Sequence, residues 1–246
     1  MFGETWGEGP PEVLVLHGWR RTHADFAASV GPASPQGALP TLAPDLPGFG
    51  ATPAPAQAWG SADYAAAVAR LLEIDAPGRA LVVVGHSLGG RIAVQLAARR
   101  PHAVGALVLT GAPLVRREGA RRHAPAPFRV VRALHRARLV SEASLERARH
   151  RYGSDDYRAA EGVMRDVLVR MVNERYDDAL AALRCPVELV WGDDDGDAPL
   201  EGARAIAARV PGTVVTVCAG AGHLVPLTAA GELRGAVDRA LVRRPA

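Results

Sequence analysis

The sequence predicts an α/β fold: a mostly parallel central sheet with helices on both faces and an inserted helical lid. Short apolar runs of strand length alternate with amphipathic stretches of helix length. The runs are continuously apolar rather than alternating, as expected of strands buried on both faces. One long stretch, from about residue 112 to residue 184, breaks the rhythm and holds no convincing strand, too long a gap for an ordinary connection. With 246 residues, 48% of them hydrophobic, the chain can bury one sizeable core.

Taken in order, MFGETWGEG (1–9) supplies at most one edge strand, and VLVLHG (13–18) and TLAPDL (41–46) supply the next two. SADYAAAVARLLEI (61–74) predicts a helix capped by Ser61, with apolar residues at helical spacing. ALVVVGH (80–86) is a strand. RIAVQLAARR (91–100) is a helix that ends on two arginines and stops at Pro101. ALVLTG (106–111), PVELVWG (186–192) and TVVTVC (213–218) complete the sheet, and a helix from about Thr228 to Arg243 closes the chain.

The irregular stretch is expected to be a helical insertion, residues 113–178, between core segments 1–112 and 179–246. Phe128, Val131, Leu134 and Leu139 form one helical stripe, and Val163, Val167 and Met171 another. Its charge is lopsided: residues 114–151 hold eleven arginines against Glu118, Glu142 and Glu146. All 29 basic residues are arginine, while the formal net charge is only +3. Richness in Ala, Arg, Gly and Pro matches a GC-rich coding sequence, so solvated helix faces account for the arginines more simply than a ligand does.

The N-terminus lacks the basic start and apolar stretch of a secretory signal, and no apolar run reaches the length of a membrane span. A cytoplasmic protein without a membrane partner is expected. Cys185 and Cys218 fall in predicted strands and are expected to be buried thiols. No metal-ligand spacing or nucleotide-binding fingerprint is present, so neither a metal nor another cofactor is expected. The basic segment lacks interleaved aromatics, which argues against nucleic acid.

The chemistry concentrates at Gly85-His86-Ser87-Leu88-Gly89-Gly90. A strand that turns at once into a helix needs a strained apex, with the residues two before and two after it forced together. Gly85 and Gly89 meet that demand. The bend exposes the Ser87 hydroxyl and points the amides at the start of the helix toward any oxyanion formed there. A serine that merely caps a helix is the bland alternative. Serine also needs a base, and that base needs an acid to hold it in one tautomer. Of eight histidines, His223, in AGAGHLVP after the last strand, is best placed. His17 and His86 precede glycine turns and are expected to support backbone by hydrogen bonds. His123, His135 and His150 are most simply solvated, and little supports His23 or His102. The strand PVELVWG empties into Asp193-Asp194-Asp195-Gly196-Asp197, where position favours Asp195 as the acid, with Asp194 in reserve.

These motifs resemble the α/β-hydrolase fold superfamily in the family's order: LHGW (16–19), PDLPGFG (44–50), GHSLGG (85–90), WGDDD (191–195) and GAGH (220–223). The resemblance implies Ser87 as nucleophile, His223 as general base and acid, Asp195 as its partner, and the amides of Trp19 and Leu88 as oxyanion hole. Trp19, Phe49, Trp59 and Leu88 become candidates for the substrate pocket wall. Haloalkane dehalogenases and epoxide hydrolases of this superfamily carry aspartate at the elbow, so serine implies acyl transfer from an ester, thioester or lactone to water. C–C bond hydrolases, iminopeptidases, cofactor-free perhydrolases and non-enzymatic ligand receptors of the same fold remain alternatives. The insertion corresponds to the lid that covers such sites. The sequence is also similar to esterases that remove methyl esters from acyl chains on an acidic carrier protein, which would give the arginines of the insertion a partner.

Overall fold

The structure, a computed structural model, describes residues 1–115, 126–152 and 154–245. Its centre is a seven-stranded sheet of β1 (Gly3–Trp6), β2 (Val13–Leu16), β3 (Thr41–Pro44), β4 (Leu81–His86), β5 (Val104–Thr110), β6 (Val187–Gly192) and β7 (Val214–Cys218), in the order β1-β3-β2-β4-β5-β6-β7. All neighbours are parallel except β1, which runs antiparallel to β3 as the one N-terminal edge strand.

Alternation of side chains along the strands explains both covered faces. Val13, Val15, Val82, Val84, Ala106 and Val108 lie in one cluster with Leu233, Ala236, Val237 and Ala240 of α10 (Ala230–Arg243). The intervening Leu14, Leu16, Val83, Leu107 and Leu109 are as fully buried, on the face where α2 (Leu88–Arg99) packs over β2, β4 and β5 with α1 (Ser61–Asp75) beside it. Each such side chain contributes about 1.5–3 kcal/mol relative to exposure. The fold is therefore the predicted α/β sheet with helices on both sides.

Several boundaries differ from the sequence reading. Helix α1 is capped one residue earlier, at Gly60, whose N–H donates to the Asp63 carboxylate at 2.8 Å. Helix α2 begins immediately after Ser87 rather than at Arg91, because glycines that are poor in an isolated helix are held by packing here. The closing helix is α10 as expected, with a separate short helix, α9 (Val225–Thr228), before it. Cys218 is buried, but Cys185 is only half-buried and precedes β6, so it is not a strand residue.

The chain divides into two compact units. The sheet unit comprises residues 1–55, 59–115 and 175–246, so residues 113–115 and 175–178 pack with the sheet. It also contains α7 (Asp177–Ala181) and α8 (Leu200–Arg209). The helical unit comprises residues 56–58 and 116–174; its described helices are α3 (Ala126–Arg136), α4 (Glu142–Tyr152), α5 (Asp155–Ala159) and α6 (Gly162–Asn173). On α6, Val167 and Met171 are buried. Helix α3 buries no residue, although its Phe128 ring meets Tyr152 at 6.5 Å, and Leu139 lies beyond α3, exposed. The predicted stripe through Leu139 therefore ends at Leu134. His123, Glu118 and Arg116, Arg117, Arg121 and Arg122 lie outside the described residues.

Candidate active site

The chain passes from central β2 outward to β3, then back across to β4 on the other side. Ligands of open α/β sheets bind in the crevice that such a reversal leaves at the carboxyl ends of the strands. Ser87 stands there, between β4 and α2, at φ 50° and ψ −106°, a region that side chains other than glycine rarely occupy. It holds the N-cap position, yet its side chain makes no capping hydrogen bond, so helix capping does not account for the serine.

The glycines are required by contact. A Cβ on Gly85 would lie 2.6 Å from the Gly90 Cα, and one on Gly89 would run into the Leu16 carbonyl. Gly89 N–H donates to the His17 carbonyl at 3.0 Å, tying the elbow to the end of β2. Neither Leu88 N–H nor Trp19 N–H has a backbone partner among the described residues.

Asp195 and His223 come together after β6 and β7. His223 Nδ1 lies 2.8 and 3.0 Å from the two Asp195 carboxylate oxygens, and Asp195 Oδ1 also accepts the amides of Asp197 (2.9 Å) and Ala198 (2.7 Å). Burial pushes the Asp195 carboxyl up, but the His223 hydrogen bond and those amides outweigh it and hold the carboxyl below its ordinary value. An ionised Asp195 only accepts, so Nδ1–H donates and the lone pair of neutral His223 is at Nε2. Asp194 is exposed and engages the histidine loop through its backbone, donating to the Ala221 carbonyl at 3.1 Å. Fully buried Trp191 braces the acid loop by donating to the Ala198 carbonyl at 2.6 Å.

His86 joins these parts. It is 1% exposed, and its ring centroid lies 4.9 Å from that of His223 at an interplanar angle of 52°. Ser87 follows it directly, while Ser87 Oγ and His223 make no direct hydrogen bond among the described residues; such bonds commonly tighten only when substrate arrives. Burial, with neighbouring His223 pushing the same way and the Thr110 carbonyl opposing, lowers the His86 imidazole to about 3. His17 supports backbone as the sequence predicts: its Nε2 accepts from Leu46 N–H at 2.9 Å, so Nδ1–H donates to the Gly18 carbonyl at 2.8 Å. His86 meets the same expectation only loosely: the Thr110 backbone acts on its ring, but among the described residues its buried Nδ1 has no partner within hydrogen-bond geometry.

Of the candidate pocket residues, Trp19 and Phe49 are in edge contact, 5.0 Å between rings, with the Trp19 indole nitrogen buried and without a hydrogen-bond partner among the described residues. Trp59 instead packs on Tyr64 of α1, at 5.2 Å. Leu88 is buried. The sequence reading missed Thr110 and Gly111, at the end of β5 against His86, and the pair His23–Asp45; glycine after ALVLT was the only available signal for the first. Among the described residues, no group of three His, Cys, Asp or Glu side chains could hold a metal, and no helix is long and apolar enough to cross a membrane.

A model of the alpha/beta hydrolase family matches residues 13–236. The chain belongs to that family. It is 32% identical over 229 residues to the pimeloyl-(acyl-carrier protein) methyl ester esterase of Aromatoleum aromaticum, spanning 82% of this chain and 86% of that protein. The protein of the same description from Chromobacterium violaceum is 32% identical over 231 residues, 87% of each chain. An esterase from Exiguobacterium antarcticum shares the fold, with a TM-score of 0.73 at 19% identity over 98% of this chain and 95% of that one. This alpha/beta hydrolase is an ester-hydrolysing enzyme.

Proposed function

We propose that the enzyme cleaves an ester-type small-molecule substrate through an acyl-enzyme on Ser87, with His223 as base and acid and Asp195 as its orienting partner. The Asp195–His223 hydrogen bond beside a serine at φ 50° carries this reading. Ser87 Oγ attacks the carbonyl carbon as His223 Nε2 takes its proton. The amides of Leu88 and Trp19 receive the oxyanion, and loss of the alcohol, protonated by His223, leaves the ester on Ser87. Water, deprotonated by the same nitrogen, attacks that ester; collapse returns the acid product and the proton to Ser87. Trp19 and Phe49 line the acyl site.

The finer reading is a methyl ester on an acyl chain held by an acidic carrier protein in the cytoplasm. It rests on the relatives' descriptions and on α3, whose exposed Arg129, Arg132 and Arg136 recur at helical spacing and form no ion pair among the described residues.

Labelling with a fluorophosphonate, beside a panel of acyl esters, thioesters, lactones and β-diketones, tests the chemistry. Wild type labels and turns over esters, while Ser87→Ala does neither; labelling without turnover of any panel member would instead mark a receptor. For the carrier, reversing Arg129, Arg132 and Arg136 to Glu is expected to raise KM for carrier-bound ester at least about tenfold at low salt, leaving the free ester unchanged. Equal rates on both substrates in wild type remove the carrier from the reading.

A further inference from the structure

We infer that His86 is a positioning residue whose ring, wedged between the turn after β2 and the base, holds the His223 imidazole in line with Ser87 and the oxyanion turn. This rests on the mechanism proposed for Ser87 and His223. Three strand ends converge on the His86 ring. A Cβ on Gly18, the residue before Trp19, would lie 2.8 Å from His86 Cδ2. A Cβ on Gly111, at the end of β5, would lie 2.8 Å from His223 Cε1 and 3.3 Å from His86 Cε1, so one glycine backs both imidazoles. His86 itself ends β4, in register with Thr110 of β5. The ring thus has backbone on two sides and His223 on a third.

Its contribution is by contact. Among the described residues Nδ1 has no partner within hydrogen-bond geometry, so His86 does not hold His223 through that nitrogen. Asp195 fixes only the Nδ1 end of His223, leaving rotation about that hydrogen bond to be stopped by what lies against the ring. Neutrality matters too, because His223 becomes an imidazolium in each transition state, and a second cation 4.9 Å away would oppose it. His223, Asp195 and Arg21 are the charged and titratable groups acting on His86, and burial outweighs them all in keeping it neutral.

The test is steady-state kinetics on the full chain with an ester that wild type turns over, using His86→Ala, His86→Gln and His86→Phe beside Ser87→Ala. His86→Ala and His86→Gln are expected to lose about 10- to 100-fold in kcat with KM within about twofold, the signature of a misaligned base. His86→Phe, a neutral ring without nitrogens, is expected to restore kcat to within about threefold of wild type. Wild-type kcat in His86→Ala would overturn the inference, and so would a loss in His86→Phe equal to that in His86→Ala. Turnover retained in Ser87→Ala would overturn the underlying mechanism instead. Should the variants not fold, histidine NMR of wild type decides: a ring-to-ring NOE and a His86 that stays neutral from about pH 8 to about pH 5 are expected, and the absence of either overturns the inference.

Discussion

His223 meets Asp195 through Nδ1 at 2.8 Å, and on the other side of β2 His23 meets Asp45 through Nδ1 at 2.7 Å. Both aspartates are buried, and both accept backbone amides as well: Asp195 those of Asp197 and Ala198, Asp45 those of His23 and Ala51. Both carboxyls lie below their ordinary value, since these hydrogen bonds outweigh burial. The pairs differ at the second ring nitrogen. His23 Nε2 faces a second carboxylate, Glu4, at 3.6 Å, which clamps β1 to the turn after β3. His223 instead lies against the neutral ring of His86 and next to the elbow. A histidine–aspartate bond is therefore a means of holding an imidazole; what the other nitrogen faces sets the two pairs apart, and only the pair beside Ser87 fits the proposed base.

Removing the proposed nucleophile should separate the pairs most sharply: Ser87→Ala is expected to lower kcat on the order of 10⁶-fold with unchanged thermal unfolding, measured on the best ester of the panel. Next come the two acids. Asp195→Asn should cost about 10⁴ in kcat. Asp45→Asn should leave kcat within about threefold and instead lower the unfolding free energy by about 2 kcal/mol, because a buried charged hydrogen-bond acceptor is lost. Equal catalytic losses would break the comparison.

Gly89→Ala probes the frame both share, since its Cβ must displace the end of β2, where Leu16 leads toward Trp19. A loss on the order of 10²-fold in kcat is expected, the usual consequence of moving a reacting group by about 1 Å. A Gly89→Ala enzyme with wild-type kcat would show that the elbow tolerates a wider bend.

Acid should weaken the fold through both regions. Asp195 and Asp45 contribute stability that is present above the ordinary carboxyl range and is lost as pH falls through their lowered values. His86 and His17, held neutral by burial, act in the same direction: unfolded imidazoles take up protons below about 6.5, whereas folded His86 does so only near about 3. Stability should therefore fall steadily between about pH 6.5 and pH 4, by up to about 1.4 kcal/mol per pH unit from His86 alone, read as a falling Tm. His86→Phe should flatten the slope.

The smallest effect belongs to the helical unit, where Glu146 accepts from Tyr157 (2.9 Å) and Arg165 (3.0 Å), and Arg149 reaches Glu142 at 2.9 Å. Arg149→Gln should change stability by less than about 0.5 kcal/mol, read by denaturant titration, because an exposed ion pair is screened.

Particular residues show what was legible in sequence. Continuous runs such as LVVV announced strands buried on both faces, since side chains alternate and both sets are apolar. Gly85 and Gly89 announced the elbow, because only a close backbone approach demands two such glycines around one serine. Leu139 misled, as helical periodicity cannot say where a helix ends. His23 gave no local signal, since Asp45 lies 22 positions away and β3 brings it near.

Sequence alone therefore determined the order of strands and helices, the sharpness of the turn at Ser87 and the supply of a histidine and an acid after the last two strands, because each is a local demand on residue type. Tertiary structure decided which acid meets His223, why His86 is kept neutral and where a second histidine–aspartate pair forms. Those outcomes depend on which strand ends meet and on what lies against each ring, and distances of that kind exist only after the sheet has formed.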